Sequence, residues 1–152
     1  MGPSATLLFV YGTLRRTSNH LQALWLRRIG EFVGTARVQG RLYRIGRYPG
    51  LVPCRACQEW VDGDLFRLPD AEAVYKVLDA YEGCAPGDPE PHEFRREMTR
   101  VVLESGRSVH AATYVYRRNV RNRTRITSAS GKMATWHGAA FSSPKYGAER
   151  QS

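Results

Sequence analysis

The alternation of apolar and polar positions divides the chain into separate segments. Residues 5–11 end in LLFVY, a short run rich in branched and aromatic side chains, which predicts a strand covered on both faces. Asn19, a good N-cap, precedes HLQALWLRR, where Leu21, Leu24 and Trp25 share one side of a helix. Residues 31–45, EFVGTARVQGRLYRI, alternate in places and are interrupted by Gly34 and Gly40, as in a long or bulged strand. GRYPG reads as a turn, and EWVDGDLFRL, residues 59–68, alternates again. The clearest helix is DAEAVYKVLDAYEG, with Val74, Val77, Leu78 and Tyr81 as its apolar stripe. Asp70 suits its N-cap, Glu72 its positive end and Gly83 its C′ position. CAPGDPEPHE, with three prolines, is a loop. FRREMTRVVL and SVHAATYVY, joined by ESGRS, read as a hairpin. From Arg117 onward the pattern fades into an irregular wrap or a loose tail.

The order strand, helix, several strands, helix, strand pair contains no repeat and no linker. It predicts an α+β fold: a curved or barrel-like mixed sheet with two helices packed against it. A chain of 152 residues supports one such core. The expected layout is a single domain over 1–152, with a core at about 6–118 and a basic segment at 119–152. No apolar stretch approaches the roughly 18 residues of a membrane span. MGPSATLLFVYG lacks a basic leader, so the expectation is a soluble, cytoplasmic protein with no membrane partner.

Charge adds a question of partners. The net charge is +9, from twenty arginines and three lysines against fourteen acids. Such a field attracts nucleic acid, acidic headgroups or small carboxylates. RRNVRNRTR, residues 117–125, gathers five of the arginines. It reads as a solvated strand end or loop, with a polyanion contact as the rival. The three cysteines, Cys54, Cys57 and Cys84, point to reduced thiols. Cys54 and Cys57 have metal-ligand spacing, and Cys84 and His92 would complete a zinc set. A redox pair and ordinary thiols are the other readings.

Several common sites are excluded. No G-x-G-x-x-G or G-x-S-x-G occurs, no H-E-x-x-H pairs the four histidines, and Gly131-Lys132 lacks the rest of a phosphate loop. Two stretches remain. In Tyr11-Gly12-Thr13-Leu14, a glycine at a strand end lets the backbone bend towards a ligand, and successive N–H groups there point into one hollow. An ordinary strand-to-loop turn has the same composition. Glu82 ends the clearest helix, where the dipole disfavours an anion, and Asp79 stands three residues before it. Both effects suit a group that takes and returns a proton. Most glutamates at helix ends, however, are merely solvated.

Together, YGTLR near the start and LDAYEG about seventy residues later resemble the γ-glutamylcyclotransferase superfamily (AIG2-like). EFVGTARVQGRLYRIGRYPGLV, WVDGDLFRL and the final Tyr-Val-Tyr are similar to its middle and last core strands, so the likeness spans residues 6 to about 118. It implies a small mixed barrel with a cavity at one end. It further implies release of a γ-glutamyl group as 5-oxoproline from a small amine or amide, without metal or organic cofactor. The resemblance makes Glu82 the catalytic acid/base. It gives Gly12, Thr13 and Leu14 substrate-binding backbone N–H groups, with Tyr11 packed beside them. The late-strand pocket tyrosine falls on Tyr116, with Tyr114 as the alternative one register step away.

Some residues depart from the family pattern. Phe94-Arg95-Arg96 stands where the family often has Tyr-x-Arg, and the proline-rich loop 84–93 is long. The alternative from another class is a non-catalytic barrel that binds nucleic acid or an acidic partner through 117–125.

Overall fold

The computed structural model describes residues 6–12, 21–127 and 133–134. Its elements run β1 (Leu7–Val10), α1 (Leu21–Ile29), β2 (Glu31–Ile45), β3 (Tyr48–Pro53), β4 (Trp60–Arg67), α2 (Ala71–Glu82), β5 (Phe94–Leu103), β6 (Ser108–Tyr116), β7 (Thr124–Ile126) and β8 (Met133–Ala134). Strands β2, β5, β6, β1 and β4 follow one another in hydrogen-bonded order, and β4 pairs back onto β2. The result is a closed five-stranded barrel with two helices: the curved or barrel-like sheet of the segment order is a barrel, as the family resemblance implies. Closure removes the sheet edges of these five strands.

β1 is buried at all four positions because its faces meet two different cores. Phe9 points inward with Val38, Leu42, Val61, Leu65 and Val115. Leu8 and Val10 point outward, beneath Leu26 of α1 and Val74, Leu78 and Tyr81 of α2. β1 pairs antiparallel with β4 and parallel with β6, so β1 and β6 finish at the same end of the barrel.

β2 spans residues 31–45 as its alternation suggests, and its register against β4 shifts between Phe32 and Gly34. Its length lets it pair with β3, β4, β5 and β7. The turn expected over GRYPG is confined to Gly46 and Arg47, because Ile45 pairs with Tyr48 and a strand follows. Pro49 is tolerated there because β3 lies at the end of the strand order, where a missing N–H breaks no ladder.

α1 uses a different face from the expected one. Ala23 and Leu26 are buried, whereas Leu21 and Leu24 are 54% and 38% exposed. Its phase follows Leu26, with Trp25 and Ile29 half-buried against the barrel. Asn19 lies outside the described residues. In α2, Tyr75 takes the buried place expected of Val77, which is 43% exposed.

The basic stretch is fastened to the barrel. Among the described residues, four of its five arginines hold acceptors of the chain itself. Arg117 grips Glu97 through Nε at 2.6 Å, Arg118 reaches the Pro91 carbonyl at 2.9 Å, and Arg123 donates to the Tyr116 hydroxyl at 3.4 Å. Arg125 pairs with Glu59 and sits over the Tyr43 ring, within β7, which adds to β2. No described helix is long and apolar enough to cross a membrane.

Candidate active site

The end of the barrel where β1 and β6 finish holds Tyr11, Gly12, Tyr114 and Tyr116. Tyr11 follows β1 and points inward; it is buried, and its hydroxyl joins three strands. It donates to the Tyr114 carbonyl at 2.6 Å and accepts the Leu51 N–H at 3.1 Å. Gly12 comes next. A Cβ there would stand 2.8 Å from Cγ of Pro49, so only glycine lets the backbone run this close to β3. Thr13 and Leu14 lie outside the described residues.

α2 brings Glu82 to the same end. Asp70 accepts the Ala73 N–H at 3.3 Å and starts the helix. Gly83, at φ 79°, ends it with a pair of bonds: its own N–H to Ala80 and the Cys84 N–H to Asp79. This Schellman cap fixes the last turn, and with it the direction of Glu82. Glu82 is 4% exposed. Its charge acts on three neighbours. Burial first, and the Glu82 charge second, push the Tyr11 hydroxyl well above its ordinary range, against the opposing Leu51 N–H. Tyr114 is raised by burial first, then by Asp79, and further by Glu82. The Cys84 thiol is pushed up to about 12 by burial, Asp79 and Glu82.

Asp79, one turn before Glu82, is held differently. The Tyr114 hydroxyl donates to its Oδ1 at 2.6 Å, and Arg96 grips both oxygens, Nε at 3.0 Å and Nη2 at 3.3 Å. Arg96 also lies over the Tyr75 ring, 4.0 Å from its centroid. The like charge expected beside Glu82 is therefore matched by a cation. Sequence reasoning missed this network. Its one visible trace is Arg96 itself, which keeps the arginine of the Tyr-x-Arg pattern.

Tyr114 and Tyr116 share a face of β6, two residues apart. Tyr114 joins β6 to α2 through Asp79. Tyr116 is buried, packs edge-on against Phe94 at 5.4 Å, and lies against Gly50, where a Cβ would approach its own Cβ to 3.0 Å. Phe94 thus fills an aromatic cluster with Tyr43, Ile45 and Tyr116. Pro49 and Gly50 bridge Gly12 on one side to Tyr116 on the other.

No group of acidic, histidine or cysteine side chains among the described residues has the arrangement of a metal site. The zinc set considered from the sequence is not assembled: Cys54 and Cys57 share a turn, while Cys84 follows α2.

Solved structures share the fold. An AIG2-like protein from Mus musculus superposes with a TM-score of 0.59 at 20% identity, covering 93% of this chain and 92% of that one. YkqA from Bacillus subtilis gives 0.58 at 23% identity over 84% of this chain, which spans only 39% of YkqA. YtfP from Escherichia coli gives 0.51 at 26% identity over 79% and 90% of the two chains. No curated protein matches the sequence significantly. The family model described as "Gamma-glutamyl cyclotransferase, AIG2-like" matches residues 8–137, through the barrel and the basic stretch. The chain belongs to the γ-glutamyl cyclotransferase, AIG2-like family.

Proposed function

We propose that this chain is a γ-glutamyl cyclotransferase that releases 5-oxoproline from a small γ-glutamyl amine or amide. The substrate's own α-amine attacks its γ-carbonyl. A new carbon–nitrogen bond closes the five-membered ring, and the original amide bond breaks to free an amine. An α-ammonium group has no lone pair, so a base must first take its proton; Glu82 does this and later protonates the departing nitrogen. Because the attack is intramolecular, holding the chain folded supplies much of the rate. The N–H groups of Gly12, Thr13 and Leu14 either hold the α-carboxylate or meet the oxyanion. In this reading Tyr11 and Tyr116 border the pocket, with Tyr114 as the alternative to Tyr116 one register step away.

The observation that carries this reading is the burial of Glu82, 4% exposed, beside the hydroxyl of Tyr11 at the barrel end. The rival, a barrel binding a polyanion through 117–125, is weakened by the internal partners of Arg117, Arg118, Arg123 and Arg125. A panel of γ-glutamyl amines, amino acids and isopeptides, with 5-oxoproline followed by mass spectrometry, tests the proposal. Release from at least one class is the expected result. Salt-sensitive binding of RNA or DNA with no 5-oxoproline from any compound would select the rival.

A further inference from the structure

At the far end of β3 from Pro49, the chain leaves the strand into Cys54-Arg55-Ala56-Cys57. This turn is built, not loose. The Cys54 N–H donates to the Gln39 carbonyl at 3.1 Å, and the Gln39 side-chain amide donates to the carbonyls of Arg55, at 3.3 Å, and Cys57. The Cys57 N–H points at the Cys54 sulfur, 3.0 Å away, and the Cys57 thiol donates to the Cys54 carbonyl at 3.7 Å. Cys57 is buried, Cys54 half-buried. Cys54 opens onto a groove of about 590 Å³. Arg55, Arg100, Arg117, Glu97 and His110 line the groove beside it. Arg117 is matched by Glu97, so Arg55 and Arg100 leave the groove positive.

We propose that Cys54 and Cys57 are a redox-active dithiol that reduces small anionic disulfides drawn into this groove, Cys54 attacking and Cys57 resolving. The Cys54 thiolate attacks one sulfur of R–S–S–R, forming a mixed disulfide and expelling the first thiolate. Cys57 then gives up its proton and attacks the Cys54 sulfur, which expels the second. The protein loses two electrons and two protons, and the disulfide gains them as two thiols.

The two sulfurs are differentiated as these roles require. The neighbouring Cys57 side chain is the largest influence lowering the Cys54 thiol. The N–H groups of Cys57 and Ala56 and the charge of Arg41 add to it, against burial. Burial, then its neighbour Cys54, raise Cys57. The low thiol is the more accessible of the two, and the high thiol is the buried one. Cys84, pushed up to about 12, is an internal control.

The test uses disulfides that carry no γ-glutamyl group, so that it stands apart from the cyclotransferase reading. The reduced protein is mixed at low ionic strength with dithiodiglycolate, a dianion, or with cystamine, a dication. Intact mass and peptide mapping follow the products. The dianion should give a protein lighter by two hydrogens, bridged at 54–57, about tenfold faster than cystamine, and salt should erase the difference. Cys57→Ser should stop at one adduct on Cys54, and Cys54→Ser should react at neither position. In the wild type, iodoacetamide should label Cys54 well before Cys57 and Cys84, which needs no variant to fold. Equal rates with the two disulfides, a first adduct on Cys57, or labelling of Cys84 as fast as Cys54 would each overturn the proposal.

Discussion

The last turn of α2 carries two carboxylates in two surroundings. Asp79, on the outer flank, is a fastening. It accepts from Tyr114 on β6 and from Arg96 on β5, and so ties the helix to the barrel wall. Glu82, one turn later, faces the barrel end, and its charge is felt by Tyr11, Tyr114 and Cys84. One helical turn thus separates a group that fixes position from one that is buried where its charge reaches Tyr11. The Schellman cap at Gly83 keeps the two from exchanging places. If the division is right, the two residues fail in different ways when altered.

The largest effect is expected at Glu82. Glu82→Gln should lower kcat by about 10²–10⁴-fold, the usual share of general acid–base catalysis, with an unchanged circular dichroism spectrum. Asp79→Asn should do the reverse. It weakens the Arg96 grip and the Tyr114 bond and should cost about 2 kcal/mol in urea unfolding, while turnover falls far less. A variant at Asp79 as inactive as the one at Glu82, yet equally stable, would break the contrast. Tyr11→Phe probes the wall that faces Glu82. It leaves the Tyr114 carbonyl and the Leu51 N–H short of a partner, at about 1–2 kcal/mol.

The smallest effect near neutrality needs no mutation. Tyr11 and Tyr114 are both raised above the ordinary tyrosine value of 10, chiefly by burial. Above that pH the unfolded chain gives up protons that the folded chain keeps. The stability they contribute is therefore complete below pH 10 and is lost as the pH rises beyond it. In an alkaline titration, their phenolate absorbance should appear together with unfolding. Full ionisation of all tyrosines before unfolding would contradict the burial assigned to these two.

Much of this was legible in the sequence, for identifiable reasons. β2, β4 and the β5–β6 hairpin follow from alternation, and α2 from caps at both ends that the structure reproduces. β3 was hidden because Pro49 and Gly50 are poor strand formers that an edge position accepts. β7 was hidden because Thr-Arg-Ile becomes a strand only by pairing with β2. The α1 face was misjudged because Leu21 and Leu24 look like core residues while small Ala23 does the packing beside Leu26. At the candidate site, Tyr11 and Gly12 of YGTL follow β1, and Glu82 of LDAYEG ends α2 with its charge acting on the Tyr11 hydroxyl. The Asp79–Arg96–Tyr114 network could not be read, since its members stand 17 and 35 residues apart and only the closed barrel brings them together.

The most direct measurement is the fate of oxygen when a γ-glutamyl substrate is turned over in water enriched in oxygen-18. Cyclisation predicts unlabelled 5-oxoproline in amounts equal to the freed amine, and both released at least about a hundredfold more slowly by Glu82→Gln. Labelled glutamate as the product, or equal release by the Glu82→Gln protein, would contradict a cyclotransferase run by that carboxylate.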